Sequence, residues 1–191
     1  SGGRTGARAD LTDSDIERID LPGEDLSGAV LKCTSMSGAN LMSCRFVMSE
    51  LEEAKLVGAN LSDALLEGAN LQNADLRSAN MLGARLVAVD LKDASGKPTG
   101  QLSPTNLSGA NLAGANLEGA DLSNARLTDA DLRGLKLKNA NLSNALLAGA
   151  FIADADMTGA NLEGVKLEDA ILEAVALDES LDDDKLLAVA S

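Results

Sequence analysis

A leucine stands at every fifth position of SGANLAGANLEGADLSNARL, residues 108–127, and an alanine stands two residues before each of them. A period of five rules out the familiar elements taken singly. An amphipathic helix repeats its apolar positions every three and four residues, a coiled coil every seven and a strand every two. Within one unit, Ala115-Asn116-Leu117-Glu118-Gly119, two apolar residues flank a polar one, which is the in-out-in alternation of a short strand. The last position of the unit holds mostly Gly, Asn, Asp or Ser, as at Gly58, Asp63, Gly68, Asn73, Ser78, Gly83, Gly109, Asn124 and Asp129. These residues tolerate the positive φ that a tight turn demands at its third position. Each unit is therefore three extended residues and a corner. So short a unit cannot bury its own leucine, and successive turns of the chain must stack to build a core.

The frame can be followed along almost the whole chain. Its central residue runs from Leu11 through Ile16, Leu21, Met36 and Phe46 in steps of five to Leu91, resumes at Leu107, and continues through Ile152 and Met157 to Leu177. Alanine fills the position two before it without exception from Ala54 to Ala84 and from Ala110 to Ala130. This A-[D/N]-L-x-x repeat resembles that of the pentapeptide-repeat proteins over about residues 9–177. The resemblance implies an all-β chain folded as a right-handed quadrilateral β-helix, with four units per coil and the central residue and the one two before it pointing inward. At a strand spacing of about 4.8 Å, about eight coils make a rod roughly 40 Å long.

Composition agrees with a narrow core. The chain has no Trp, Tyr or His and only two Phe, so Leu and Ala must do the filling. One continuous solenoid core means one domain: a tail at 1–8, the β-helix at 9–177 and a short C-terminal α-helix at 178–191. That last segment, DESLDDDKLLAVAS, has Ser180 at a helix-start position, Asp183 three residues on, and Leu181, Leu186 and Leu187 on an apolar face. An open β-helix end exposes unpaired backbone, so the segment is read as a capping helix, with homodimerisation through it as the sharper reading. No apolar run approaches the roughly 18 residues of a membrane span, and no secretory leader is read in SGGRTGARA. Cys33 occupies a corner slot and Cys44 an inward one, so no disulfide is expected. A reduced compartment follows, cytoplasmic in the first instance and nuclear in the second.

The frame breaks once, in LKDASGKPTGQLSPTNL, where sixteen residues separate Leu91 from Leu107. Gly96, Pro98, Gly100 and Pro104 mark residues 94–105 as a loop leaving the rod, with Leu102 returning to the core. The bland reading is a tolerated insertion; the sharper one is a contact loop on a rigid scaffold.

Little in the chain points to chemistry. Catalysis, cofactor and metal sites are not expected: histidine is absent, and no Cys/His ligand set or glycine-rich phosphate loop occurs. Asp10, Asp15, Asp20 and Asp25 fall on four successive sides of one coil and diverge, and Asp182-Asp183-Asp184 reads as charge at a helix start.

Surface columns remain. Residues twenty apart stack, which places Asp20, Asn40, Asn60 and Asn80, then Asp121, Asn141 and Asn161, in a column of amides that bond to one another. If the interruption holds one unit plus six residues centred on Gly96, the neighbouring side carries Asp25, Arg45, Leu65, Arg85, Asn106, Arg126, Leu146 and Lys166. Val47 and Val87 project beside it. A protein of net charge −14 would then carry one basic and apolar stripe: Arg45, Val47, Leu65, Arg85, Val87, Arg126, Leu146 and Lys166. Arginine among apolar neighbours is what interface cores favour.

The function expected is a non-catalytic protein-interaction scaffold or adaptor whose partner is a protein, with no direct nucleic-acid binding and no membrane contact. Within the family, KDASG at the interruption, NLSGANLAG at the resumption and LKLKNANLSNALLAGA are similar to the C-terminal repeat region of a BTB-domain ubiquitin-ligase adaptor of the potassium-channel-tetramerisation-domain type. No BTB domain lies in this chain, so cullin binding gains no support from it. The alternative is a DNA mimic that occupies a type II topoisomerase (gyrase), as the quinolone-resistance members of the family do. Net charge favours this reading, whereas the sparse Phe and the interleaved cations oppose it.

Overall fold

Backbone bridges join residues twenty apart along the chain: Asp10 to Val30, Asp15 to Ser35, Asp20 to Asn40 and Asp25 to Arg45, all parallel. With a five-residue unit, a twenty-residue rise means four units per coil. The computed structural model describes residues 8–177, so the helix expected at 178–191 lies outside the described residues, as does most of the expected tail. Each side of a coil is a single bridge. The central residue donates to the next coil, as Leu11 N does to Val30 O at 2.8 Å, and the bridged residue donates back, as Val30 N does to Ala9 O at 2.8 Å.

The corners form as the last position of each unit requires. The alanine N–H bonds back to the central carbonyl of the unit before, for example Ala115 N to Leu112 O at 2.9 Å. The residue before it holds positive φ: 65° at Gly119, 57° at Asp129 and 58° at Asn139. Glycine has a second reason in places. A Cβ at Gly149 would meet the Asp129 carboxylate stacked beneath it, whereas at Gly119 it would meet nothing.

Both inward positions are buried as the alternation dictates, from Ala29 and Leu31 to Val165 and Leu167. The end coils are open, and Leu11, Ile16, Leu21, Leu26, Leu162, Leu172 and Leu177 are only partly covered. Where a polar residue takes an alanine slot, its side chain bonds to a carbonyl inside the wall. Thr34 Oγ1 donates to Leu11 O at 2.7 Å, and Ser49 Oγ to Phe46 O at 2.8 Å. Burying each leucine contributes about 1.5–3 kcal/mol, and deleting one leaves a cavity on top of that loss.

The interruption differs from the expectation. It is not a loop over 94–105 with Leu102 in the core but a β-hairpin: β1, Val89–Lys92, pairs antiparallel with β2, Pro98–Ser103, in the register Val89 to Ser103 and Asp90 to Leu102. Leu102 is 56 % exposed. Asp93 closes the tip, its Oδ1 accepting from Ser95 N, Ser95 Oγ and Lys97 N at 2.8, 2.6 and 3.1 Å. Those bonds, the Ser95 hydroxyl first, hold its carboxyl below the usual value.

Across the hairpin the bridge interval becomes 36, as in Asn70 to Asn106 and Arg85 to Asp121, which is sixteen more than elsewhere. Thr105 tells the same story. Its hydroxyl lies 2.9 Å from Leu66 O, 39 residues back, where Thr34 reaches 23 residues back to Leu11. The chain therefore leaves at the corner after Leu86 and rejoins at the same corner, with Leu107 in the place Leu91 would have taken. Two short further strands close the described rod: β3, Phe151–Ala153, lies parallel to β4, Ile171–Glu173.

Two outcomes test this geometry. Leu117 and Ala115 are fully buried, so Leu117→Ala is expected to cost about 2–5 kcal/mol and Ala115→Leu about 1–3 kcal/mol, with Glu118→Ala nearly silent, in chemical denaturation. Removing residues 88–103 together with Pro104→Gly leaves Leu86, Val87, the new glycine, Thr105, Asn106 and Leu107 as an unbroken unit. Cooperative melting within about 5 °C of the parent is expected. Keeping Pro104 in the same deletion is expected to lower the midpoint, because proline cannot adopt the positive φ of that slot.

Candidate interaction surface

Stacked coils give the rod four outward columns, numbered here by the first coil: side I from Asp10, side II from Asp15, side III from Asp20 and side IV from Asp25. Those four aspartates diverge, one to a side, and among the described residues no group of His, Cys, Asp or Glu could hold a metal ion.

The expected stripe is split by the hairpin. Side IV carries Asp25, Arg45, Leu65 and Arg85, then Asp121, Asn141 and Asn161; side I carries Val30, Glu50, Asn70 and Asn106, then Arg126, Leu146 and Lys166. Arg45, Leu65 and Arg85 do stack in three successive coils, with the half-buried Val47 and Val87 at the corner beside them. Arg126, Leu146 and Lys166 stack likewise, but on the adjacent side and higher along the rod. The reason is the register: the sixteen inserted residues close on themselves and add no unit, so Arg85 meets Asp121 and not Asn106.

The amide column is corrected in the same way. Asn40 Nδ2 donates to Asp20 Oδ1 at 2.7 Å, Asn60 to Asn40 at 3.3 Å and Asn80 to Asn60 at 3.1 Å, but the ladder then continues to Asn116 on side III. Asn141 bonds to Asp121 at 3.0 Å and Asn161 to Asn141 at 3.2 Å on side IV, as a separate ladder.

The lower triplet is richer in apolar neighbours than the sequence columns reveal. Met42 and Leu82 stand exposed at the corner between sides III and IV, and Met48 at the corner between sides IV and I. The register places each of them at a corner, one or two positions after a central residue, but the repeat sets no apolar preference there that would single them out. Its two arginines are partly engaged: Arg45 Nε lies 3.8 Å from Asp25, and Arg85 Nε donates to Glu67 Oε1 at 3.1 Å. On the lower half of side I the cations are consumed locally. Lys32 bridges Glu50 at 2.9 Å and Glu52 at 3.4 Å, and Arg8 reaches Glu50 at 3.1 Å. The bond to Glu50, then that to Glu52, holds the Lys32 ammonium above its usual value. No ion pair within 4.0 Å engages Arg126 or Lys166 among the described residues.

Side II holds two like devices. Arg77 clasps Asp75 through two hydrogen bonds at 2.8 and 2.7 Å, and Arg133 clasps Asp131 at 2.8 and 2.6 Å. Both carboxyls are lowered by the guanidinium bond first. The exposed Phe151 and Ile171 stack above Asp131 on this side.

The pentapeptide-repeat family model matches residues 9–46, 54–93, 105–144 and 136–173, with eight copies. The chain belongs to the pentapeptide-repeat family. Its members form right-handed quadrilateral β-helices, and they are generally structural and interaction proteins without catalysis. Among solved structures it is similar to HetL, a pentapeptide-repeat protein involved in heterocyst differentiation regulation from the cyanobacterium Nostoc sp. strain PCC 7120. That likeness has 28 % identity over 90 % of this chain and 87 % of that one, with a TM-score of 0.42. It is also similar to a trypsin-treated variant of QnrB1, a plasmid-mediated fluoroquinolone resistance protein, at 19 % identity over 97 % of this chain and 92 % of that one, TM-score 0.54. No curated protein sequence matches it. Among the described residues no helix is long and apolar enough to cross a membrane.

The clasped carboxylates set a pH dependence. A carboxyl lowered in the folded state adds stability above its unfolded value of about 3.9 and loses it as pH falls through the folded value. The parent is therefore expected to be slightly more stable than the Arg77→Ala, Arg133→Ala double variant at pH 7, since exposed pairs contribute little. The difference is expected to shrink on acidification below about pH 4 in urea titrations.

Proposed function

We propose that this rod is a non-catalytic protein-interaction scaffold, an adaptor of about eight coils that presents side surfaces to a protein partner. The observation that carries the reading is the lower triplet, Arg45, Leu65 and Arg85 in successive coils, framed by Met42, Leu82, Val47, Met48 and Val87. Most of the remaining surface is acid or amide, strongly hydrated and costly to bury without matching charge. Arginine stems and aliphatic side chains lose less on desolvation, and a guanidinium can pair bidentately with a carboxylate. The partner docks on side IV without membrane or direct nucleic-acid contact, and the reduced thiols Cys33 and Cys44 suit the cytoplasm. Self-association through residues 178–191, which lie outside the described residues, belongs to the same proposal.

A second reading has one observation in its favour. QnrB1 shares the fold along nearly the whole chain, and a net charge of −14 suits a DNA mimic that occupies gyrase. The cations on sides I and IV weigh against it, because a mimic of the phosphate backbone needs an unbroken acidic face.

Once a partner has been captured, Arg45→Glu with Arg85→Glu is expected to weaken its binding at least tenfold, about 1.4 kcal/mol, with the fold verified by circular dichroism. Unchanged affinity would overturn the side IV surface. A gyrase supercoiling assay separates the two readings: unaltered supercoiling at high protein excess is expected, and inhibition would favour the mimic.

A further inference from the structure

The same outward sequence of residues occurs twice: cation, leucine, cation in three consecutive coils, as Arg45-Leu65-Arg85 on side IV and as Arg126-Leu146-Lys166 on side I. We propose that the upper triplet seats an acidic amphipathic helix of a partner protein, laid along the rod axis. The inference rests on the scaffold reading above and names the kind of partner and a second, separate surface for it.

Spacing selects a helix. The two cations are two coils apart, about 10 Å, with Leu146 halfway. A helix repeats a face every seven residues, about 10.5 Å, with positions three and four residues on lying between. Carboxylates at i and i+7 with an apolar residue at i+3 or i+4 therefore meet Arg126, Lys166 and Leu146 together. An extended strand cannot do so, because residues on one face recur at about 6.7 and 13.3 Å.

Charge selects the triplet and the approach. Arg45 and Arg85 are already shared with Asp25 and Glu67, while Arg126 and Lys166 have no ion pair within 4.0 Å among the described residues. The corner toward side II carries Asp129, Glu168 and Asp169, which repel an acidic helix. The corner toward side IV carries Ser123, Asn124, Ser143, Asn144 and Gly164 with one acid, Glu163, and beyond it lies the ladder of Asp121, Asn141 and Asn161. The helix accordingly rests over that edge, the less acidic of the two. Its lower end meets the returning strand β2, where Ser103, Pro104, Asn106 and Arg126 line a cleft against Asn70. Nucleic acid fits less well, because the net charge of −14 repels a polyanion that the local cations are too few to hold.

Exposed ion pairs contribute little each, so one helix binds weakly and at low salt. The probe is a fluorescein-labelled helical peptide with Glu at i and i+7 and Leu at i+3 and i+4, titrated with the full chain by anisotropy in about 20 mM salt. A control peptide of the same composition places its acids at i and i+5. The register peptide is expected to bind at least fivefold more tightly than the control, to lose at least tenfold in the Arg126→Glu, Lys166→Glu variant, and to stay within twofold in the charge-matched Lys55→Glu, Lys136→Glu variant, whose residues are exposed on sides II and III. Both variants change exposed side chains, and circular dichroism verifies their folds. Equal binding of the two peptides, an equal loss in the Lys55→Glu, Lys136→Glu variant, or tighter binding of a labelled DNA duplex through Arg126 and Lys166 would each overturn the proposal. A captured partner whose binding depends on Arg45 and Arg85 but not on Arg126 and Lys166 would also overturn it and leave the scaffold reading standing.

Discussion

Nearly every side of a coil holds one large inward side chain beside one small one, with Leu135 next to Leu137 and Val165 next to Leu167 as exceptions, and the rest of the molecule follows from that. The central leucine reaches into the rod while the alanine two residues before it keeps the wall close enough for the opposite leucines to meet. With little space for a second large residue, the chain must turn a corner every five residues, and the turn must be tight enough to demand a left-handed residue. Sixteen non-glycine residues among those described accept that conformation, φ of 50–59°, because stacking on both sides holds them there. The exposed faces inherit their order from the same constraint. A residue before each central position has one direction to point, so columns of like residues become ladders, and the amide bonds of Asn40, Asn60 and Asn80 add hydrogen bonds to a register already set by the core.

Much of this was readable from five letters. The inward pair, the corner slot, the four-unit coil implied by the family likeness, and the buried Cys44 against the exposed Cys33 all came from one repeat. What did not come was the path between Leu86 and Leu107. Leu91 falls in frame with the leucines before it, and Leu102 stands five before Leu107, so each carries the periodic mark of a core residue; in the structure both belong to a hairpin. Periodicity is a local signal, and a segment that closes on itself at one corner can contain leucines in step by coincidence. Thr105 held a better clue. It takes an alanine slot, as Thr34 does, and a small hydroxyl able to bond a wall carbonyl belongs inside the rod.

The candidate surface shared that fate. Each triplet was legible, because its members are twenty residues apart within one half of the chain. Their alignment into one stripe was not, because it hinged on counting units through the hairpin. The exposed Met42, Met48 and Leu82 were overlooked for another reason: corner positions follow no hydrophobic rule, so an apolar residue there leaves no pattern to detect. Affinity on a rod of this kind is a matter of which columns neighbour each other, and only the register decides that.

A hairpin that departs and returns at a single corner makes its own length a free variable of the architecture. Adding a unit to the wall would rotate everything beyond it by a quarter turn and rearrange which columns share an edge. Adding residues to the hairpin rotates nothing, because Val87 and Thr105 meet the same neighbours whatever lies between them. The corner is thus a socket in a rigid ruler. A foreign segment spliced between β1 and β2 would be held at one height and one azimuth, with the spacing of every other side chain along the axis undisturbed.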